Sequence, residues 1–134
     1  MQTITLTLPW APTANTYYRS FVIGGQGRVV ISKAGKAFAA DAGKLCMAAR
    51  ACKRLSGSLT VVVEAHPPTR ARIDLDNRLK PLLDSLTKAG VWLDDSQIDD
   101  LRIVRKPPVK DGRVVVHITE LSAAAEQRGL LEAA

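Results

Sequence analysis

The sequence predicts an α+β fold, a small single domain with a mixed or antiparallel β-sheet and two α-helices. Three observations lead there. Several short segments alternate apolar and polar residues with the period of two that marks half-buried strands. Two longer segments carry apolar residues at helical spacing. These segments run strand, hairpin, helix, strand, helix, strand, strand, without the strict alternation of a parallel α/β sheet. The 134 residues contain no Ser/Gly-rich linker and have the size of one domain, long enough to bury a core without disulfides.

Taken in order, Ile4, Leu6 and Leu8 alternate with Thr3, Thr5 and Thr7 and predict a first strand, stopped by Pro9. Residues 9–15 read as a turn-rich loop. Phe21-Val22-Ile23 and Val29-Val30-Ile31 flank Gly24-Gly25-Gln26-Gly27 and predict a hairpin. The glycines are not a phosphate loop, because the GxxxxGK[ST] pattern is absent. Ser32 is a good N-cap for a helix from Lys33 to about Lys53, with Phe38, Ala42, Leu45, Cys46, Ala49 and Cys52 on its apolar stripe. Lys36, Lys44, Arg50 and Lys53 make its outer face basic. Leu59, Val61, Val63 and Ala65 mark the next strand, ended by Pro67-Pro68. A second helix runs to about Lys88, with Leu79, Leu82, Leu83 and Leu86 inward and Gly90 as its stop. Ile98–Lys106 and Val114–Thr119 read as two strands joined by a hairpin loop with a Pro107-Pro108 entry and an Asp111-Gly112 turn. Leu121–Ala134 is Ala-rich and reads as a short helix or tail.

Lys and Arg number 19 against 13 Asp and Glu, a net charge of +6, which suits an anionic polymer such as nucleic acid. Two cysteines and two histidines without a CxxC pair argue against a zinc site, and Cys46 and Cys52, six apart in one predicted helix, are not expected to bond. Free thiols suit the cytoplasm. The N-terminus has no signal-peptide pattern, and no apolar run approaches the ~20 residues of a membrane span.

The acidic residues are gathered. Asp74, Asp76 and Asp84 fall in one short stretch, and Asp94, Asp95, Asp99, Asp100 and Asp111 in another. Asp74 and Asp76, two apart at the end of an extended segment, are expected to point to one side, where mutual repulsion calls for a cation. All-oxygen donors select Mg²⁺, with Mn²⁺ as a substitute. The helix between them is expected to bring Asp94-Asp95 back to the same end. Lys80, four residues after Asp76, would then face the same way, free to hold a carboxylate or to stabilise charge on a phosphate. Arg70, Arg72 and Arg78 surround the site, and Lys33 and Lys36 extend the basic surface. This is the residue set of a metal-dependent phosphodiesterase, in which a bound ion activates water. Each half alone means less: a DxD is common, Asp94-Asp95 fits a turn, and Asp84, four from both Lys80 and Lys88, fits a solvated ion pair.

The stretch Asp74-Leu75-Asp76-Asn77, Lys80, and Asp84 through Leu93-Asp94-Asp95-Ser96-Gln97 resembles the core signature of the RusA family of Holliday junction resolvases. Leu8-Pro9-Trp10 with Pro12, Asn15 and Tyr17-Tyr18-Arg19 resembles that family's opening, and Val116–Glu120 its C-terminal hairpin, so the likeness spans roughly Thr3 to Glu120. It implies a homodimeric enzyme of phage or prophage origin that binds four-way DNA junctions and cuts two opposed strands symmetrically with Mg²⁺ or Mn²⁺. It implies catalytic and metal-binding roles for Asp74, Asp76 and Asp95, an essential role for Lys80, and places near the DNA or the site for Asn77 and the run Tyr17-Tyr18-Arg19. Two-fold symmetry of a junction gives such a dimer its rationale. Pro81, directly after Lys80, departs from the pattern and implies a late helix start with the proline in its first turn. Two other readings compete: a protein that binds branched DNA without cutting it, and an endonuclease of flaps or forks.

Overall fold

The computed structural model describes residues 2–121. The tail read as a short helix lies, beyond Leu121, outside them. Gln2–Pro9 form β1, with Ile4, Leu6 and Leu8 buried and the threonines between them exposed. Ala14–Tyr17 form a one-turn helix, α1, where the sequence reads only as loop. Four residues are too few to show a helical period; the turn is set by Thr13, whose Oγ1 accepts the Thr16 N–H at 3.3 Å. Tyr18–Ile23 (β2) and Gln26–Ile31 (β3) pair as the predicted hairpin. Its turn is Gly24-Gly25, both at positive φ, as a two-residue connection of this hand requires.

Lys33–Ala48 form α2, and the expected N-cap is in place, Ser32 Oγ accepting the Gly35 N–H at 3.0 Å. The helix stops five residues before the expected Lys53. Arg50 takes a left-handed conformation (φ 55°), and the N–H groups of Arg50 and Ala51 return to the carbonyls of Met47 and Cys46. This is a Schellman stop built without glycine, with Ala51 fully buried behind it. The buried face is consequently Phe38, Ala39, Ala42 and Cys46; Leu45 and Ala49 face outward, and Cys52 is exposed beyond the helix end. The two cysteines are free, and burial pushes the Cys46 thiol up to about 11.

Leu59–His66 form β4, and its alternate residues Leu59, Val61, Val63 and Ala65 are buried as predicted. A 3₁₀ turn at Asp76–Arg78 leads into α3, Leu79–Ala89. Pro81 occupies the first turn, where its missing N–H breaks no hydrogen bond. Gly90, at φ 85°, ends the helix as expected. Ile98–Arg105 (β5) lie parallel to β4, and Arg113–Glu120 (β6) antiparallel to both β4 and β1, giving the order β1-β6-β4-β5.

That order corrects the expected C-terminal hairpin. β5 and β6 are consecutive but not neighbours, because β4 lies between them. The connection crosses the end of β4, tied there by the Lys106 N–H to the Ala65 carbonyl (2.8 Å) and the Val109 N–H to the Pro67 carbonyl (3.0 Å). The sheet is therefore mixed, with β4–α3–β5 as its parallel crossover. Its buried face packs Leu6, Leu8, Val61, Val63, Val116 and Ile118 with Phe38 and Cys46 of α2 and Leu82 and Leu86 of α3. Each large side chain so buried is worth about 1.5–3 kcal/mol, and the packed face fixes α3, and with it the acidic residues, against the sheet. Among the described residues no helix is long and apolar enough to cross a membrane.

Candidate active site

The chain between β4 and α3 carries the first two aspartates. Pro67-Pro68 end the strand, and Thr69–Leu75 run without regular structure. Arg105 of β5 donates from Nη2 to the Ile73 carbonyl at 2.7 Å, fastening the backbone one residue before Asp74. Asp74 sits in the irregular stretch, and Asp76 opens the 3₁₀ turn, so the pair does not lie on one extended segment as expected. Both are exposed.

Asp94-Asp95 is placed from the other side of α3. After Gly90, Val91 and Trp92 are buried, and Leu55 clips the segment, its N–H donating to the Val91 carbonyl and its carbonyl accepting the Leu93 N–H. Asp94 then caps a 3₁₀ turn at Asp95–Gln97. Its carboxylate accepts the Ser96 N–H at 3.2 Å, and the Gln97 side chain accepts the Asp94 N–H at 2.7 Å. The hydrogen bonds from Ser96 hold the Asp94 carboxyl below the usual carboxylate range. Asp94 is thus occupied by the backbone, and Asp95 is left for other work. Gln97 Nε2 anchors the turn to the carbonyls of Leu55 and Gly57, both at 2.9 Å.

Between these two segments the helix carries a residue that sequence reasoning set aside. Lys80 Nζ pairs with Asp84 Oδ2 at 3.2 Å, the i,i+4 contact expected of them. Asp84 also accepts the hydroxyl of Tyr18, at the root of the hairpin, and the Lys80 ammonium lies 5.4 Å from the centroid of the Tyr18 ring. Burial and the hydrogen bond to Asp84, with the charges of Asp84 and Asp95, push the Tyr18 phenol far above its ordinary value, so it remains a donor. Asp84, Thr87 and Lys88 of α3 line a hollow of about 300 Å³ with Asp94 and Asp95. The far segment therefore lies alongside α3, with Asp94 and Asp95 lining that hollow together with Asp84. Lys80, Asp84, Tyr18 and Asp95 form a stripe along one side of the helix. The four-residue spacing points to the pairing of Lys80 with Asp84; Tyr18 enters the sequence reading only through the resemblance of Tyr17-Tyr18-Arg19, and its contact with Asp84, 66 residues away, has no local pattern.

None of Asp74, Asp76 and Asp95 takes a side-chain hydrogen bond or ion pair among the described residues. Nor do any three His, Cys, Asp or Glu side chains among those residues gather closely enough to form a ready-made metal cluster. The donor chemistry fits a hard divalent cation, since all three offer only carboxylate oxygens.

The basic residues divide. Arg70 and Arg72 are exposed and line a cleft of about 340 Å³ with Arg105 and Lys106, two cations the sequence reading did not include. Arg19, Lys33, Lys36 and Asn77 are exposed on the surface. Arg78 points inward instead: its guanidinium donates to the Ala11 carbonyl and stacks 4.7 Å from the centroid of the Trp10 ring, while Nε is buried without a partner among the described residues. Its expected role at the phosphates is corrected to that of a structural bolt. Tyr17 is likewise corrected. It is fully buried, with its hydroxyl accepting from Ser85 Oγ at 3.1 Å, and is out of reach of DNA.

Fold and site together define a small basic α+β domain with partner-free aspartates and a lysine–aspartate–tyrosine cluster along one helix. The family described as endodeoxyribonuclease RusA matches residues 9–119. Crossover junction endodeoxyribonuclease RusA of Escherichia coli K12 is 40% identical over 121 residues, covering 90% of this chain and 98% of that protein. The like-named proteins of Shigella sonnei, at 41%, and of Enterobacteria phage 82, at 40%, match with the same coverage. The chain belongs to the RusA endodeoxyribonuclease family.

Proposed function

We propose that this protein is a metal-dependent endodeoxyribonuclease that resolves Holliday junctions and related branched DNA by symmetric phosphodiester hydrolysis, acting as a homodimer in the cytoplasm. The observation that carries the reading is the family match, which runs through nearly the whole of relatives that are themselves crossover junction endodeoxyribonucleases. The chemistry of the site supports it. Asp74, Asp76 and Asp95 would hold Mg²⁺, or Mn²⁺ in its place, and the ion supplies Lewis acidity and a water activated for attack. Lys80 brings a positive charge for the phosphate oxygens as charge develops on them. Arg70, Arg72, Arg105 and Lys106 give the phosphate backbone a basic track, and Arg19, Asn77, Lys33 and Lys36 extend it. Two sites related by a two-fold axis suit the symmetric cutting of a four-way junction.

The test offers labelled four-way junction, flap, fork and linear duplex to the purified protein, with Mg²⁺ and with EDTA. Paired nicks in the junction, dependent on Mg²⁺ and absent from the duplex, are expected. Junction binding without cutting in Mg²⁺ would favour a protein that only binds branched DNA, and faster cutting of flaps or forks would replace the substrate.

A further inference from the structure

We propose that Asp84 and Tyr18 are positioning residues for Lys80, a two-sided clamp that fixes its ammonium for the reaction. This rests on the catalytic role proposed above for Lys80. A lysine on the first turn of a helix has four rotatable side-chain bonds and, in water, no fixed direction; a lone exposed ion pair with an aspartate one turn along is worth under about 1 kcal/mol and would not hold it. The surroundings here go further. Asp84 is itself held, because its Oδ2 accepts the Tyr18 hydroxyl as well as pairing with Lys80 at 3.2 Å. Its side chain is only 30% exposed, whereas that of Lys80 is 71% exposed, so the anchor is fixed in the protein while the cation is presented outward. Tyr18 contributes twice, by orienting the carboxylate with its hydroxyl and by offering its ring face to the ammonium at 5.4 Å. Tyr18 is in turn held edge-on by the buried Tyr17, with ring centroids 4.7 Å apart. The chain of support thus runs from the core through Tyr17, Tyr18 and Asp84 to Lys80.

Neither residue needs to touch substrate, so loss of either should spare binding and slow the chemical step. A misplaced catalytic group costs roughly 10- to 100-fold. Asp84→Asn keeps the shape and can still accept the Tyr18 hydroxyl, but it removes the charge that holds Lys80. In single-turnover cleavage of a four-way junction with saturating protein and Mg²⁺, Asp84→Asn should be slowed about tenfold or more, with junction affinity held or improved. Tyr18→Phe should be slowed less, and Asp84→Glu should recover part of the loss. The effect should also vanish when the Lys80 ammonium is already gone: adding Asp84→Asn to Lys80→Met should change the residual rate little. An equal loss from Asp84→Asn in both backgrounds would show that Asp84 acts independently of Lys80 and would overturn the proposal, as would wild-type rates in both Asp84→Asn and Tyr18→Phe. NMR of the Lys80 Cε–H groups reads the clamp without turnover. Restricted motion in the wild type that is released in Asp84→Asn is expected, and equal mobility in both would overturn the clamp. Restricted motion together with full cleavage by Lys80→Met would instead sink the role assigned to Lys80.

Discussion

Asp94 and Asp95 are adjacent and chemically identical, and the backbone gives them different tasks. Asp94 spends its carboxylate on the Ser96 N–H as a helix cap, and Asp95 has no such partner. Asparagine caps about as well as aspartate, so Asp94→Asn should fold and cleave junctions at close to the wild-type rate, while Asp95→Asn should lose cleavage and keep binding. Cleavage and gel-shift assays on the two variants check this, and the reverse ranking would transfer the role to Asp94. The resemblance named Asp95, and the cap explains in physical terms why it is the free member of the pair. Arg78 shows the opposite outcome. Its position among arginines near the acidic stretch suggested DNA, but its partners, Trp10 and Ala11, lie more than sixty residues away, and no local pattern encodes that contact. Arg78→Ala should therefore cost stability, about 1–3 kcal/mol from a lost charged hydrogen bond and ring stack, and leave the salt dependence of junction binding unchanged. Arg72→Ala should leave stability alone and flatten the log–log salt slope by about one. Denaturant titration and binding across a salt series separate the two.

At the scale of elements, those with strong periodicity were legible. The strand alternations of β1 and β4 and the leucine face of α3 appear where the pattern put them, because burial on one face dictates that pattern. The end of α2 was not legible, since Arg50 in a left-handed conformation carries none of the glycine signal that marks most such stops. α1 was hidden by its shortness. Gly35 illustrates how packing overrides local preference. In isolation it weakens α2 by about 1 kcal/mol relative to alanine. Here a Cβ would run into the Tyr17 carbonyl and lie 2.8 Å from Ile31 Cγ2, so the missing side chain lets α2 dock against the root of the hairpin. Overpacking against backbone costs about 1–3 kcal/mol, which outweighs the propensity gain. Gly35→Ala should lower the unfolding midpoint, and a raised midpoint would show that the hairpin root yields freely.

At the scale of the whole molecule, the class α+β followed from element order, but the strand order did not. Nothing between β5 and β6 records that β4 lies between them; that depends on which apolar faces meet in the core, a non-local matter. The same limit applies to the site. The residue types at Asp74, Asp76, Lys80 and Asp95 were readable, whereas the row from Lys80 through Asp84 and Tyr18 to Asp95 arises only when hairpin, helix and capped turn pack together. We propose that a cation held by these aspartates cuts the junction that the basic surface binds. It is tested most directly by measuring cleavage and binding of one labelled four-way junction, in Mg²⁺, by the wild type and Asp76→Asn. Paired nicks are expected from the wild type, none from the variant, and binding by the variant as tight or tighter, since a negative charge near the DNA has been removed. Normal cutting by Asp76→Asn would contradict it.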